Sequence, residues 1–199
     1  GRPSMGKCCA YNTLIVREDG TLETIEAIYQ KRRAKLLTLG QDWQFKITEP
    51  SAFVDDGIKP VFRVTTKLGR FVETTITHPF LTVNGWQKLS ELKPGDKIAV
   101  PRKLDVFGTE NIPEERVKLL ADNFADGDFV SPKTVPEIVF KLNKKLLSLF
   151  INRLFSQDDS AGLLVFDKNP RLSYSTTCEQ NARQLQHLLL RFEIISSLK

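Results

Sequence analysis

Histidine, methionine, tryptophan and cysteine are all scarce in this chain: two, one, two and three residues among 199. The three cysteines, Cys8, Cys9 and Cys178, are too few for a disulfide framework. With only His78 and His187 as nitrogen donors they give no zinc-ligand spacing either. What remains is free thiol, usable as a nucleophile in a reducing compartment, which predicts a cytoplasmic location. No apolar run is long enough to cross a bilayer and no signal peptide opens the chain, so no membrane partner is expected. Acidic residues do not balance basic ones, 24 against 29, leaving a formal net charge of +5. That surplus is compatible with nucleic acid, but its usual origin is a scattered, solvated surface. At 41% apolar and 27% charged residues, the chain reads as globular, with room for one large domain or one domain plus part of another.

What is present is concentrated in the first fifteen residues. Gly1-Arg2-Pro3-Ser4-Met5-Gly6-Lys7 spells G-x-x-x-x-G-K, the front of a phosphate-binding loop. That motif needs a buried strand before it and Ser or Thr plus a helix after it, and no residue precedes Gly1. Cys8 stands where a Mg²⁺-ligating hydroxyl belongs, and a thiol is a poor ligand for a hard cation. The residues that follow are β-branched, alternate in polarity and turn at Asp19-Gly20, a hairpin signal. The loop is therefore interrupted between Lys7 and Cys8, and the sequence reads as an insertion into an ATPase. Met5 is a poor initiator, so the chain is expected to be a piece of a longer protein.

From residue 8 to about 103 the pattern is β. Leu14-Ile15-Val16 and Thr21-Leu22-Glu23-Thr24 form the first predicted hairpin, and Ile25 to Lys31 a short helix. Further strands are predicted over Trp43–Ile47, Val61–Thr66, Phe71–Ile76 and Phe80–Val83, the last turning at Asn84-Gly85 into Trp86. Pro94-Gly95-Asp96 leads into a final strand, Lys97–Val100. Many short strands with frequent turns argue for a compact, mostly antiparallel β domain. Its chemistry rests on Cys8 and on Thr75-Ile76-Thr77-His78, which leaves a strand and is stopped by Pro79. Taken singly, a free cysteine is usually a small core residue and a histidine at a strand end is usually structural.

Together these residues resemble a known family. Cys8-Cys9-Ala10-Tyr11-Asn12-Thr13-Leu14-Ile15 resembles the opening block of inteins, and Thr75-x-x-His78 with Phe80-Leu81-Thr82 and Gly85-Trp86 resembles their second block. Leu89–Asp96 and Ile98–Arg102 look like the end of the same N-terminal splicing region. The resemblance implies a horseshoe-like, mostly β Hint domain over 8–103. It also implies protein splicing: the Cys8 thiolate attacks the carbonyl of Lys7 and converts that amide to a thioester. His78 would protonate the departing Cys8 nitrogen and Thr75 would bond the scissile peptide or its oxyanion. No cofactor is implied for these steps. Cys9 is the competing nucleophile; the five-residue offset from Cys8 to Thr13 is the family's register, and from Cys9 it is four. Asn12 replaces the family's usual acid.

The second half, 104–199, resembles a truncated α/β homing endonuclease of the LAGLIDADG type. Val117–Gly127 resembles its first helix with Asp126 as the foot acid, and Phe150–Ser160 the second with Asp158. In that family the two acids hold Mg²⁺ over the scissile phosphates of DNA; as bare residues they read equally as solvated carboxylates. Leu172–Thr176 is expected as a strand, followed by an amphipathic helix carrying Ala182, Leu185, Leu188, Leu189 and Phe192. Only 22 residues separate Gly127 from Phe150, Asp122 and Asn123 place polar groups on a helix that should pack tightly, and Asp159 replaces a glycine. The expectation is an eroded nuclease whose activity is lost.

The terminal His-Asn of inteins has no counterpart after Leu185, so splicing is expected to be incomplete without a C-terminal intein segment, in cis or in trans. The first seven residues, 1–7, resemble the Walker A segment of DnaB-type replicative helicases, so joining Lys7 to a downstream Ser or Thr would restore an ATP/Mg²⁺ site through Gly1, Gly6 and Lys7. Two other readings compete: a DNA endonuclease or DNA-binding module using Asp126 and Asp158, and a P-loop ATPase fragment with a structural insertion. His187 is expected at a helix boundary, and Trp43 and Trp86 in the core or at strand edges.

Overall fold

A computed structural model describes residues 8–125, 134–157, 163–166 and 169–198. Among them the backbone forms two compact units, one of 8–18 with 22–104 and the other of 19–21 with 105–198.

The first unit is mostly β, built from four antiparallel pairs that each form a two-stranded sheet. Strands β1 (Leu14–Val16) and β2 (Leu22–Thr24) pair with Leu14 opposite Thr24. Thr24 then caps helix α1 (Ile25–Lys31): its hydroxyl accepts the amide of Ala27 at 3.2 Å, satisfying one of the amides a helix start leaves open. Glu26 in the first turn and Lys31 in the last suit the helix dipole. The helix stops at Arg32, whose left-handed backbone (φ 51°) turns its amide back onto the carbonyls of Ile28 and Tyr29. Strands β3 (Leu36–Leu39) and β4 (Phe45–Thr48), β5 (Phe62–Thr65) and β6 (Phe71–Thr74), and β7 (Pro79–Thr82) and β8 (Gly85–Lys88) complete the set.

Several sequence expectations move by a few residues. Strand β3 was not expected; its Leu36-Leu37-Thr38-Leu39 lacks a flanking turn signal on the N-terminal side. The expected strand at Lys97–Val100 is only an isolated bridge, Ile98 to Thr82, with the Ala99 amide on the Leu81 carbonyl at 2.7 Å. Strand β6 ends at Thr74 and not at Ile76, because the His78 amide turns back onto the Thr75 carbonyl at 3.0 Å. Pairing of Thr82 with Gly85 makes Val83-Asn84 the tip of the last hairpin, with Gly85 at φ 93° just past it. Trp43 and Trp86 are exposed, each at 62%, so neither is a core residue.

The second unit is helical with one hairpin. It holds α2 (Glu114–Ala125), α3 (Glu137–Lys141), α4 (Lys144–Gln157), β9 (Leu163–Phe166), β10 (Asn169–Leu172) and α5 (Glu179–Leu190). Its core gathers Val117, Ala121 and Phe124 of α2 with Leu147, Phe150 and Leu154 of α4, all buried. Two ion pairs fix how these helices run. Lys145 meets Glu114 at 2.7 Å and Arg153 grips Asp122 with two hydrogen bonds of 2.7 and 3.1 Å. Both pairs join residues 31 apart in sequence, so α2 and α4 lie parallel and in register. Asp122 therefore sits beside the helix seam with a partner, and Asn123 is exposed; neither disturbs the packing in the way the sequence suggests. The strand expected at Leu172–Thr176 lies earlier, at Asn169–Leu172. His187 is buried and not at a boundary: its Nε2 lies 3.2 Å from the Arg191 guanidinium, which also donates to the carbonyls of Phe140 and Gly20. Among the described residues no helix is long and apolar enough to cross a membrane.

Candidate active site

The site begins as a β pairing. The Ala10 amide donates to the Glu73 carbonyl at 2.9 Å and the Thr75 amide to the Cys8 carbonyl at 3.1 Å, with Cys9 bridged to Thr74. The segment Cys8-Cys9-Ala10 thus extends the edge of β6, and the strand's last pairing falls on Thr75, where the T-x-x-H turn starts. That turn is closed by the His78 amide on Thr75 and pinned by the Ser90 and Leu89 amides on the carbonyls of Ile76 and His78, at 3.0 and 2.9 Å. Thr75 is buried, with its hydroxyl 3.4 Å from that of Thr77. The His78 ring packs against Phe80, centroids 5.3 Å apart, and its Nδ1 lies 3.9 Å from the Cys9 sulfur.

The two adjacent thiols have different surroundings. Cys9 is the more enclosed, and burial followed by the neighbouring Cys8 pushes its pKa from 9.0 up to about 11. Cys8 donates its S–H to Asp56 Oδ2 at 3.0 Å. That hydrogen bond, helped by partial burial and by the carboxylate's charge, raises the Cys8 pKa, while Lys59 acts in the opposite direction. Asp56 also pairs with Lys59, and both contacts hold its own pKa below the usual carboxylate value. A carboxylate and an ammonium therefore stand at one thiol, and an imidazole faces the other.

Of the residues singled out by sequence, Thr75 pairs through its backbone with Cys8, whereas the His78 ring lies against Cys9. Gly1, Gly6, Lys7, Asp126 and Asp158 lie outside the described residues. Among the described residues no group of three or more His, Cys, Asp and Glu could hold a metal ion. Asp56 was missed. Asp56 lies in a loop where the Gly57 amide donates to Asp55 Oδ1 at 2.9 Å and Gly57 takes φ 70°. Nothing in the sequence around it announces a thiol 48 positions away. A second residue was missed: Thr74, fully buried opposite Cys9, whose hydroxyl finds no hydrogen-bond partner among the described residues.

The family described as "Intein splicing domain" matches residues 15–191. A replicative DNA helicase DnaB of Rhodothermus marinus is 36% identical over 121 residues, covering 60% of this chain and 13% of the helicase. The replicative DNA helicase DnaB of Synechocystis sp. is 24% identical over 216 residues, covering 71% and 25%. A crystal structure of a DnaB intein from Synechocystis sp. PCC 6803 aligns with 28% identity and a TM-score of 0.45, over 47% of this chain and 68% of that one. The chain thus spans only 13% and 25% of the length of these two helicases. Since the family match takes in most of the sequence, from the first strand through α5, the chain belongs to the intein splicing domain family.

Proposed function

We propose that this chain carries out the first step of autocatalytic protein splicing, an N-to-S acyl shift at Lys7–Cys8, within an intein that interrupts a DnaB-type replicative helicase. One observation carries the reading: pairing of Cys8–Ala10 with Glu73–Thr75 sets the cysteine whose amide would be cleaved directly against the start of the T-x-x-H turn. In the shift, Cys8 Sγ bonds the Lys7 carbonyl carbon, the C–N bond breaks and the Cys8 nitrogen takes up a proton. His78 would supply that proton and Thr75 would steady the strand and the developing oxyanion. The half-buried Cys9 thiol, with its pKa pushed up to about 11, is poorly suited to be a nucleophile near neutral pH. No cofactor takes part. Completion needs a C-terminal intein segment, in cis or in trans, and a horseshoe-like Hint domain would be finished by it. After splicing, Gly1, Gly6 and Lys7 would return to the host's ATP/Mg²⁺ site. The thiol chemistry suits a reducing, cytoplasmic setting.

Incubation with an excess of small thiol and mass spectrometry test this. The expected result is release of the Gly1–Lys7 flank as a thioester-derived product, abolished in Cys8→Ala and kept in Cys9→Ala. The reverse pattern would overturn the assignment of Cys8.

A second reading of the other unit is favoured by the parallel, in-register pairing of α2 and α4. Asp126 and Asp158 directly follow the ends of those helices in sequence. A LAGLIDADG remnant would use them to hold Mg²⁺ at DNA, and Mg²⁺-dependent cutting of an intein-less helicase gene would reveal surviving nuclease activity.

A further inference from the structure

Asp56 is the feature of the first unit that the splicing reading does not use. Its carboxylate reaches the Cys8 thiol from a loop far along the chain, and the loop is built to keep it there. Arg32 donates through Nη1 to the Phe53 carbonyl at 2.9 Å, tying the loop's approach to the end of α1. The Asp55 side chain accepts the Gly57 amide, and the left-handed Gly57 turns the chain immediately after Asp56. Lys59, two residues beyond, holds the same Oδ2 that accepts the thiol proton.

We propose that Asp56 is the general base of the acyl shift, taking the Cys8 thiol proton as the sulfur bonds the preceding carbonyl, with Lys59 positioning the carboxylate. This rests on the reading of Cys8 as the nucleophile. The proton passes from Sγ to Asp56 Oδ2 while the Sγ–C bond forms; collapse of the adduct breaks the C–N bond, and the freed nitrogen gains a proton from His78. Asp56 then gives its proton to solvent, from which the imidazole is restored. An S–H and a C–N bond are exchanged for an S–C and an N–H bond, and nothing is oxidised or reduced.

A carboxylate looks too weak to deprotonate a thiol outright, and beside Cys8 it disfavours a free thiolate. Concerted transfer is different. The thiol proton is weakly acidic before attack and strongly acidic once sulfur has bonded carbon, so a base of intermediate strength accepts it only as the bond forms. The groups facing the Cys8 sulfur divide accordingly: Asp56 receives the proton, Lys59 tempers the local negative charge, Cys9 stays neutral, and His78 lies toward the Cys9 side.

The two possible roles of Asp56 have opposite signs in Asp56→Asn. If attack used only preformed thiolate, removing the carboxylate would raise the thiolate fraction and speed cleavage at pH 7. As a base, its loss slows thiol-induced cleavage about 100-fold at pH 7, with the gap closing as pH rises and Cys8 ionises unaided. Peptide-mapped alkylation of Cys8 in the same variant should become faster, because the thiol is freed from its acceptor; a merely structural role would not move the two readouts apart. Asp56→Glu should restore part of the rate. Cleavage by Asp56→Asn that is unchanged or faster at pH 7 overturns the proposal. If Cys8→Ala itself still cleaves, the reading of Cys8 fails instead, so the two failures are separable.

Discussion

At Cys9 a thiol is held neutral by its surroundings, and this has a consequence for stability. Its pKa rises from 9.0 to about 11 because burial penalises the thiolate and Cys8 adds to the effect. Below pH 9 both folded and unfolded chains carry the neutral thiol. Between pH about 9 and about 11 the unfolded chain ionises first, so protonated Cys9 favours the native state less and less as pH rises. The urea midpoint of the first unit should therefore fall across that range. The fall should be smaller in Cys9→Ala, which isolates this group from tyrosines and lysines titrating nearby. An identical alkaline profile in both proteins would mean that Cys9 is not enclosed.

Secondary structure was legible wherever a local signal sufficed. The Asp19-Gly20 turn fixed the first hairpin, and helix α1 runs over Ile25–Lys31 as its residues predict. Reading failed where tertiary neighbours decide: β3 exists through pairing with β4, and His187 is buried because Arg191 and Phe140 close over it. The site divides in the same way. The backbone pairing of Thr75 with Cys8 joins two residues that a register counted along the chain singles out, whereas the contact of Asp56 with Cys8 arises by folding and carries no mark in sequence. The pairing of α2 with α4 is likewise tertiary. Phe150 is fully buried there, its ring 6.2 Å from that of Phe124. Phe150→Ala should cost about 3–5 kcal/mol, the usual loss for a large aromatic removed from a packed core. Helix ellipticity against urea measures it, and a cost under about 1 kcal/mol would show that these helices do not share a core.

Across the described residues, apolar burial is distributed very unevenly between the two units. Of the buried hydrophobic residues, three (Ile28, Ala34 and Leu104) belong to the first unit and fifteen to the second. Large exposed hydrophobics show the reverse, fifteen against three. Hydrophobic burial is the main term holding a fold together, and local opening is cheapest where it is sparse. The strands of the first unit should consequently exchange amide hydrogens far sooner than α2 and α4, by about 100-fold or more in protection. The Cys8–Ala10 segment is included, because among the described residues two backbone hydrogen bonds tie it to Glu73 and Thr75. Mass-resolved hydrogen exchange reads this directly. If the exposed apolar faces are the seat of the C-terminal intein segment, adding that segment should raise protection at Cys8–Ala10 and Glu73–Thr75 together. Helices α2 and α4 should be left unchanged. Equal protection in both units before addition would show that the first unit is stabilised by something other than apolar burial. A gain confined to the second would place the segment elsewhere.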